Sequence, residues 1–154
     1  MKYIYLLLAS ILAFSCSASN TNYPSDFFAQ YGLKSPLMDY ELLINLNGNE
    51  LKLTYQNGQN KTSGNGIYTI KDREANEIYK YLKSINFVSM KDPEGERMLD
   101  AAQQYIKGGY DDKSNGINFG GVKNPPDNIV KAKNMIVELA SKYNKSFNKD
   151  MGIE

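Results

Sequence analysis

Tyr40-Glu41-Leu42-Leu43-Ile44-Asn45-Leu46-Asn47-Gly48-Asn49-Glu50-Leu51-Lys52-Leu53-Thr54-Tyr55 is the stretch on which the fold turns. Tyr40, Leu42, Ile44 and Leu46 fall on one side of an extended chain, because successive side chains of a strand point to opposite faces. Leu51, Leu53 and Tyr55 resume that alternation after Asn47-Gly48, a pair suited to the positive φ angles of a tight hairpin turn. The pattern predicts an antiparallel β-hairpin with one apolar and one polar face.

Downstream of the hairpin, Gln56 to Gly66 is polar and holds three glycines, which predicts a mobile loop before a short strand, Ile67 to Ile70. Asp72 is placed to cap a helix whose stripe is Ala75, Ile78, Leu82 and Ile85, flanked by Tyr79 and Tyr81. A second helix is expected from Pro93 to Ile106, capped by Asp92, stopped by Gly108-Gly109, with Met98, Ala101, Ala102 and Tyr105 inward. Gly116 to Gly120 offers Ile117 and Phe119 to one face of a strand. Pro125-Pro126-Asp127 then opens a helix striped by Ile129, Ala132, Met135, Ile136, Leu139, Ala140 and Tyr143. Residues 147–154 read as a polar tail.

Upstream, Asp26 to Gly32 suggests a short helical turn with Ser25 as N-cap and Gly32 as its stop, its aromatics pinning the preceding segment to the domain. The order of elements predicts one α+β domain over residues 26–146, a small antiparallel sheet with about three helices packed on one face.

The first residues carry an address. Lys2 supplies a positive start, and Tyr3 to Phe14, interrupted by Ser10, is an apolar run of signal-peptide length. It falls short of the roughly 20 residues needed to cross a bilayer. Leu12-Ala13-Phe14-Ser15-Cys16 resembles the lipobox of bacterial lipoproteins, with Ala13 and Ser15 small as that pattern wants and Phe14 bulkier than usual. The resemblance implies that residues 1–15 are removed and that Cys16 becomes an acylated N-terminus. It further implies attachment to the cell envelope, most simply the outer membrane, facing the periplasm or the cell exterior. Residues 16–25 would then be the lipidated cysteine and a flexible tether. An ordinary secretory signal, with Cys16 incidental, is the plainer alternative, but it leaves an unpaired thiol in an oxidising compartment.

Composition narrows the chemistry. The full chain has 18 basic and 17 acidic residues, and loss of Lys2 balances them, so no net charge draws the protein to nucleic acid. With no histidine and one cysteine, histidine-based triads, thiol nucleophiles and the usual transition-metal ligands are missing from the chain. No cofactor is expected.

Each candidate site has a plainer explanation. Asp111-Asp112-Lys113-Ser114-Asn115-Gly116 is similar to the start of a calcium-binding loop, but Lys113 and Val122 stand where the third and twelfth ligands belong. A turn cornered at Asn115-Gly116 accounts for it. The glycine pairs in Gly108-Gly109-Tyr110 and Phe119-Gly120-Gly121 lack the lysine and hydroxyl of a phosphate loop and read as a helix stop and a strand end. Glu94 and Glu96, two apart on the expected helix, would point away from each other. Twelve tyrosines could line a sugar or peptide surface, although most suit the edges of a core.

The expectation is therefore a non-enzymatic, membrane-anchored binding or assembly module, joined to lipid through Cys16 and to an envelope protein through its domain. The alternatives are a small glycan hydrolase working with carboxylates, and an inhibitor of a cell-wall enzyme inserting the loop Gln56 to Gly66.

Overall fold

The computed structural model describes residues 21–151. Its frame is the hairpin of β2 (Tyr40–Asn47) and β3 (Glu50–Asn57), turned at Gly48, whose φ is +55°. Leu42 faces Tyr55, Ile44 faces Leu53 and Leu46 faces Leu51, and all six are buried. Each such apolar side chain contributes on the order of 1.5–3 kcal/mol by leaving water, so a shift of one residue would forfeit the set.

Around the hairpin lie β1 (Phe28–Ser35), β4 (Thr62–Thr69), β5 (Gln103–Tyr110) and β6 (Lys113–Asn118). They form one six-stranded sheet in the order β4-β3-β2-β1-β5-β6, every neighbour antiparallel. Among the described residues three α-helices complete the α+β architecture: α1 (Asp72–Ser84), α2 (Asp127–Tyr143) and α3 (Phe147–Met151). The sheet is thus larger than the sequence suggested.

Several expectations are corrected. Asp26 to Gly32 is not a helical turn: β1 runs through it at the centre of the sheet, with Ala29, Tyr31 and Leu33 opposite Leu46, Ile44 and Leu42. Gln56 to Gly66 is not a loop. β3 and β4 pair without a break from Asn57↔Thr62 to Glu50↔Thr69, leaving only residues 58–61 to turn. Gly64 and Gly66 admit the Tyr55 and Tyr68 rings, which occupy the space a Cβ would take.

Pro93 to Ile106 is not a helix either. Arg97 bridges Val122, the Met98 N–H donates to the Gly121 carbonyl at 2.8 Å, and Asp100 turns at a φ of +60°. Those long-range backbone bonds override the local helix signals, and Gln103 onward enters the sheet. Met98 is therefore exposed rather than inward.

The helix at Asp72 forms with the expected stripe, Ala75, Ile78 and Leu82 being buried, but Lys71 is its N-cap. The Lys71 N–H donates to Glu74 Oε2 at 3.1 Å, while Asp72 accepts from the Tyr23 hydroxyl at 2.9 Å. Tyr23 and Phe27 are buried, their rings 5.7 Å apart, and Phe27 meets Tyr79 edge-on at 5.5 Å. Among the described residues, packing thus starts at Tyr23, inside what reads as tether. Residues 147–151 of the expected tail are also structured: Phe147 and Met151 of α3 are buried in the core.

Candidate binding face of the sheet

Burial in β3 alternates strictly, with Leu51, Leu53, Tyr55 and Asn57 buried and Glu50, Lys52, Thr54 and Gln56 exposed. The strand register carries the second set onto one outward face with Leu43 and Asn45 of β2, Phe28 and Gln30 of β1, and Tyr105 and Lys107 of β5.

Two glycines shape that face. A Cβ on Gly32 would fall 2.2 Å from the Tyr105 ring, so the ring lies across bare backbone of the neighbouring strand. A Cβ on Gly109 would fall 2.4 Å from the Phe28 ring, which lies across β5 in the same way. Gln30 Nε2 donates to the Tyr105 hydroxyl at 2.9 Å, and the Lys107 ammonium stands 5.3 Å from the ring centre, so Tyr105 is held flat.

Beside these rings are two shallow hollows. One of about 550 Å³ is lined by Asp26, Phe28, Asn45, Asn47, Glu50 and Lys52. The other, of about 540 Å³, is lined by Glu41, Leu43, Thr54, Gln56, Ser63 and Asn65. Leu43 and Asn45 are successive outward residues of β2, so the hollows adjoin.

The charges here are balanced, with Lys52 3.4 Å from Glu50 and Lys34 3.8 Å from Glu41. Both pairs are more than half exposed, which leaves such contacts worth about 0–1 kcal/mol. What remains is an array of amides and hydroxyls around flat rings and one leucine. Such a surface can hydrogen-bond polar groups and cover apolar ones.

The most displaced carboxyl lies elsewhere. Burial works against ionisation of Glu74, but Lys142, the Tyr143 hydroxyl at 2.6 Å and the Lys71 N–H outweigh it and hold the carboxyl down at about 2. A general acid needs the opposite shift. Glu74 ties α1 to α2 and is a structural anion.

The residues singled out in the sequence are scattered. Cys16 lies outside the described residues. Asp111 and Asp112, with φ of +54° and +59°, are the corner of the β5–β6 hairpin, which moves the turn back from Asn115-Gly116. Among the described residues, no cluster of three or more acidic or cysteine side chains could hold a metal ion. Gly108-Gly109-Tyr110 is the end of β5, not a helix stop, and Phe119-Gly120-Gly121 is the turn after β6. Glu94 and Glu96 are exposed outside any helix, with Glu96 3.5 Å from Lys123.

The face escaped the sequence reading because two of its strands, β1 and β5, were read as helical. The alternation Gln104, Ile106, Gly108, Tyr110 against Gln103, Tyr105, Lys107, Gly109 is the signal that marks β5. No known family's sequence profile matches the chain, and no curated protein sequence matches it.

Proposed function

We propose that the protein is a lipid-anchored binding module of the bacterial cell envelope, held to the membrane by acylated Cys16, that engages an envelope protein through the outward face of its sheet. The lipobox-like segment Leu12 to Cys16 supports the anchor. The observation that carries the binding reading is the pair of aromatic rings, Phe28 and Tyr105, laid over glycines on a face of amides, hydroxyls and paired lysines and glutamates.

In this reading the three helices all lie against the buried side of the sheet and leave the other side free. α1 touches β1, α2 touches β1, β2 and β5, and α3 touches β3 and β4, which accords with such a layering. Anchoring keeps the face concentrated near other membrane-bound proteins, so a modest intrinsic affinity suffices. No helix among the described residues is long and apolar enough to cross a membrane. In this reading the acylated cysteine carries the attachment.

The inhibitor alternative loses its inserting loop, because Gln56 to Gly66 is paired strand and tight turn. The hydrolase alternative is tested directly. The full chain is expected to turn over none of a panel of peptidoglycan, oligosaccharide and ester substrates. Turnover abolished by changing one Asp or Glu to its amide, in a folded variant, would replace the binding reading with the enzymatic one.

A further inference from the structure

The two edges of the sheet are treated differently. At β6, the Asp92 carboxylate accepts from the Asn118 N–H at 2.8 Å, while Arg97 donates to the Asn118 carbonyl at 3.3 Å and to the Gly120 carbonyl at 3.0 Å. The Asn115 amide donates to the Phe87 and Met90 carbonyls, each at 2.8 Å, and so ties the segment after α1 to β6. The β6 edge is occupied by the chain's own side chains.

The β4 edge has no such cover among the described residues. The Ile70 N–H donates to Asn49 at 2.9 Å, and in an antiparallel ladder bonded pairs alternate. Tyr68, Gly66, Gly64 and Thr62 therefore bond β3, and the backbone groups of Ser63, Asn65, Ile67 and Thr69 point outward. The strand, Thr62-Ser63-Gly64-Asn65-Gly66-Ile67-Tyr68-Thr69, holds no charge and no proline, the two devices that most often deter edge pairing. Ile67 is 66% exposed upon it.

We infer that β4 pairs antiparallel with β4 of a second copy, joining two six-stranded sheets edge to edge. A strand without charge offers nothing to select a charged partner and nothing to repel its own copy. Two-fold symmetry places the same residue of each copy opposite itself at the centre, and an outward-bonding residue there gives a hydrogen-bonded central pair. Centring on Asn65 sets the two Asn65 amides side by side and pairs Ser63 with Ile67, using residues 62 to 68 of each copy. The partner copy's Ile67 then stands beside Ser63, on the rim of the 540 Å³ hollow, and closes its open side. A strand pair alone buries less than the roughly 1,000 Å² of a stable interface, so the dimer is weak and favoured where copies are concentrated. The inference rests on the edge, not on what the face binds.

The test uses the full chain carrying Cys16→Ser, so that an introduced thiol is the only one. Bonded antiparallel partners lie about 5.5 Å apart at Cα, within disulfide reach. Asn65→Cys is expected to give a disulfide dimer under mild oxidation over a concentration series. Asn118→Cys, on the guarded edge, should yield at least tenfold less, and adding Ile67→Lys to Asn65→Cys should cut the yield at least tenfold without altering the circular dichroism. A monomer throughout, equal yields from both edges, or capture of a different protein at Asn65 in place of a second copy would each overturn the inference.

Discussion

Glu74 shows how one residue can govern acid stability. Its carboxyl sits at about 2 in the folded chain against an ordinary 4.5, so the native state holds fewer protons than the unfolded one between those values. The contribution is full above about pH 4.5 and is lost as pH falls towards 2. Glu74→Gln is expected to cost about 2 kcal/mol at neutral pH, from the urea midpoint, because a charged and mostly buried hydrogen-bond centre is removed. The difference from wild type should shrink over that acid window; a constant difference would show that Glu74 acts by packing alone. At the alkaline end, burial and the hydrogen bond to Asp72 push the Tyr23 hydroxyl up to about 12 from 10.0. The neutral form is thereby favoured, and stability should fall as pH rises from 10 through 12, less so in Tyr23→Phe. Glycines separate site from scaffold. A Cβ on Gly120 would meet the Gln104 backbone nitrogen at 2.5 Å, whereas one on Gly32 would meet only the Tyr105 ring. Gly120→Ala should cost about 1–3 kcal/mol by overpacking against backbone. Gly32→Ala should cost less than Gly120→Ala and displace Tyr105 from the face. Equal thermal midpoints for the two variants would contradict this.

Among the elements, α3 holds more than its five residues suggest. Phe147 packs on Tyr55 at 5.5 Å, Asp150 Oδ2 accepts from the Tyr55 hydroxyl at 2.5 Å, and the Asp150 carbonyl accepts from Thr62 and Asn57 at 2.8 and 3.2 Å. Phe147→Ala is therefore expected to destabilise by about 3–5 kcal/mol in denaturant unfolding, the range for a truncated core aromatic. A loss under about 1 kcal/mol would restore the polar-tail reading. That tail was hard to read because two apolar residues four apart show no periodicity until a core exists for them. The β2–β3 hairpin and the helices at Asp72 and Asp127 were legible, since each carries its period over two or more turns or an unbroken alternation. β1 and β5 were not. Gly32 looks like a helix stop until Tyr105 is seen lying over it, and Asp92-Pro93 looks like a helix start until Arg97 and Met98 are seen bonded to the chain after β6. In both, contacts distant in sequence decide, and local propensity yields to them.

For the whole molecule, the address and the binding face come from different sources. The proposed anchor at Cys16 is argued from the short apolar run and the small residues before it, while the proposed face exists only once strands far apart in sequence are paired. Cys16→Ser should abolish palmitate incorporation and release the protein from membrane pellets; unchanged labelling would end the lipoprotein reading. The claim that joins anchor and face is most directly tested by photo-crosslinking in cells, with the crosslinking residue placed at Asn45 on the outward face or at exposed Asn134 on α2. The account predicts one adduct of defined mass, containing an envelope protein, from Asn45 and not from Asn134, lost when Gly32→Ala is added. Adducts of equal yield from both positions, or none from Asn45 in a protein shown to be membrane-bound, would contradict it.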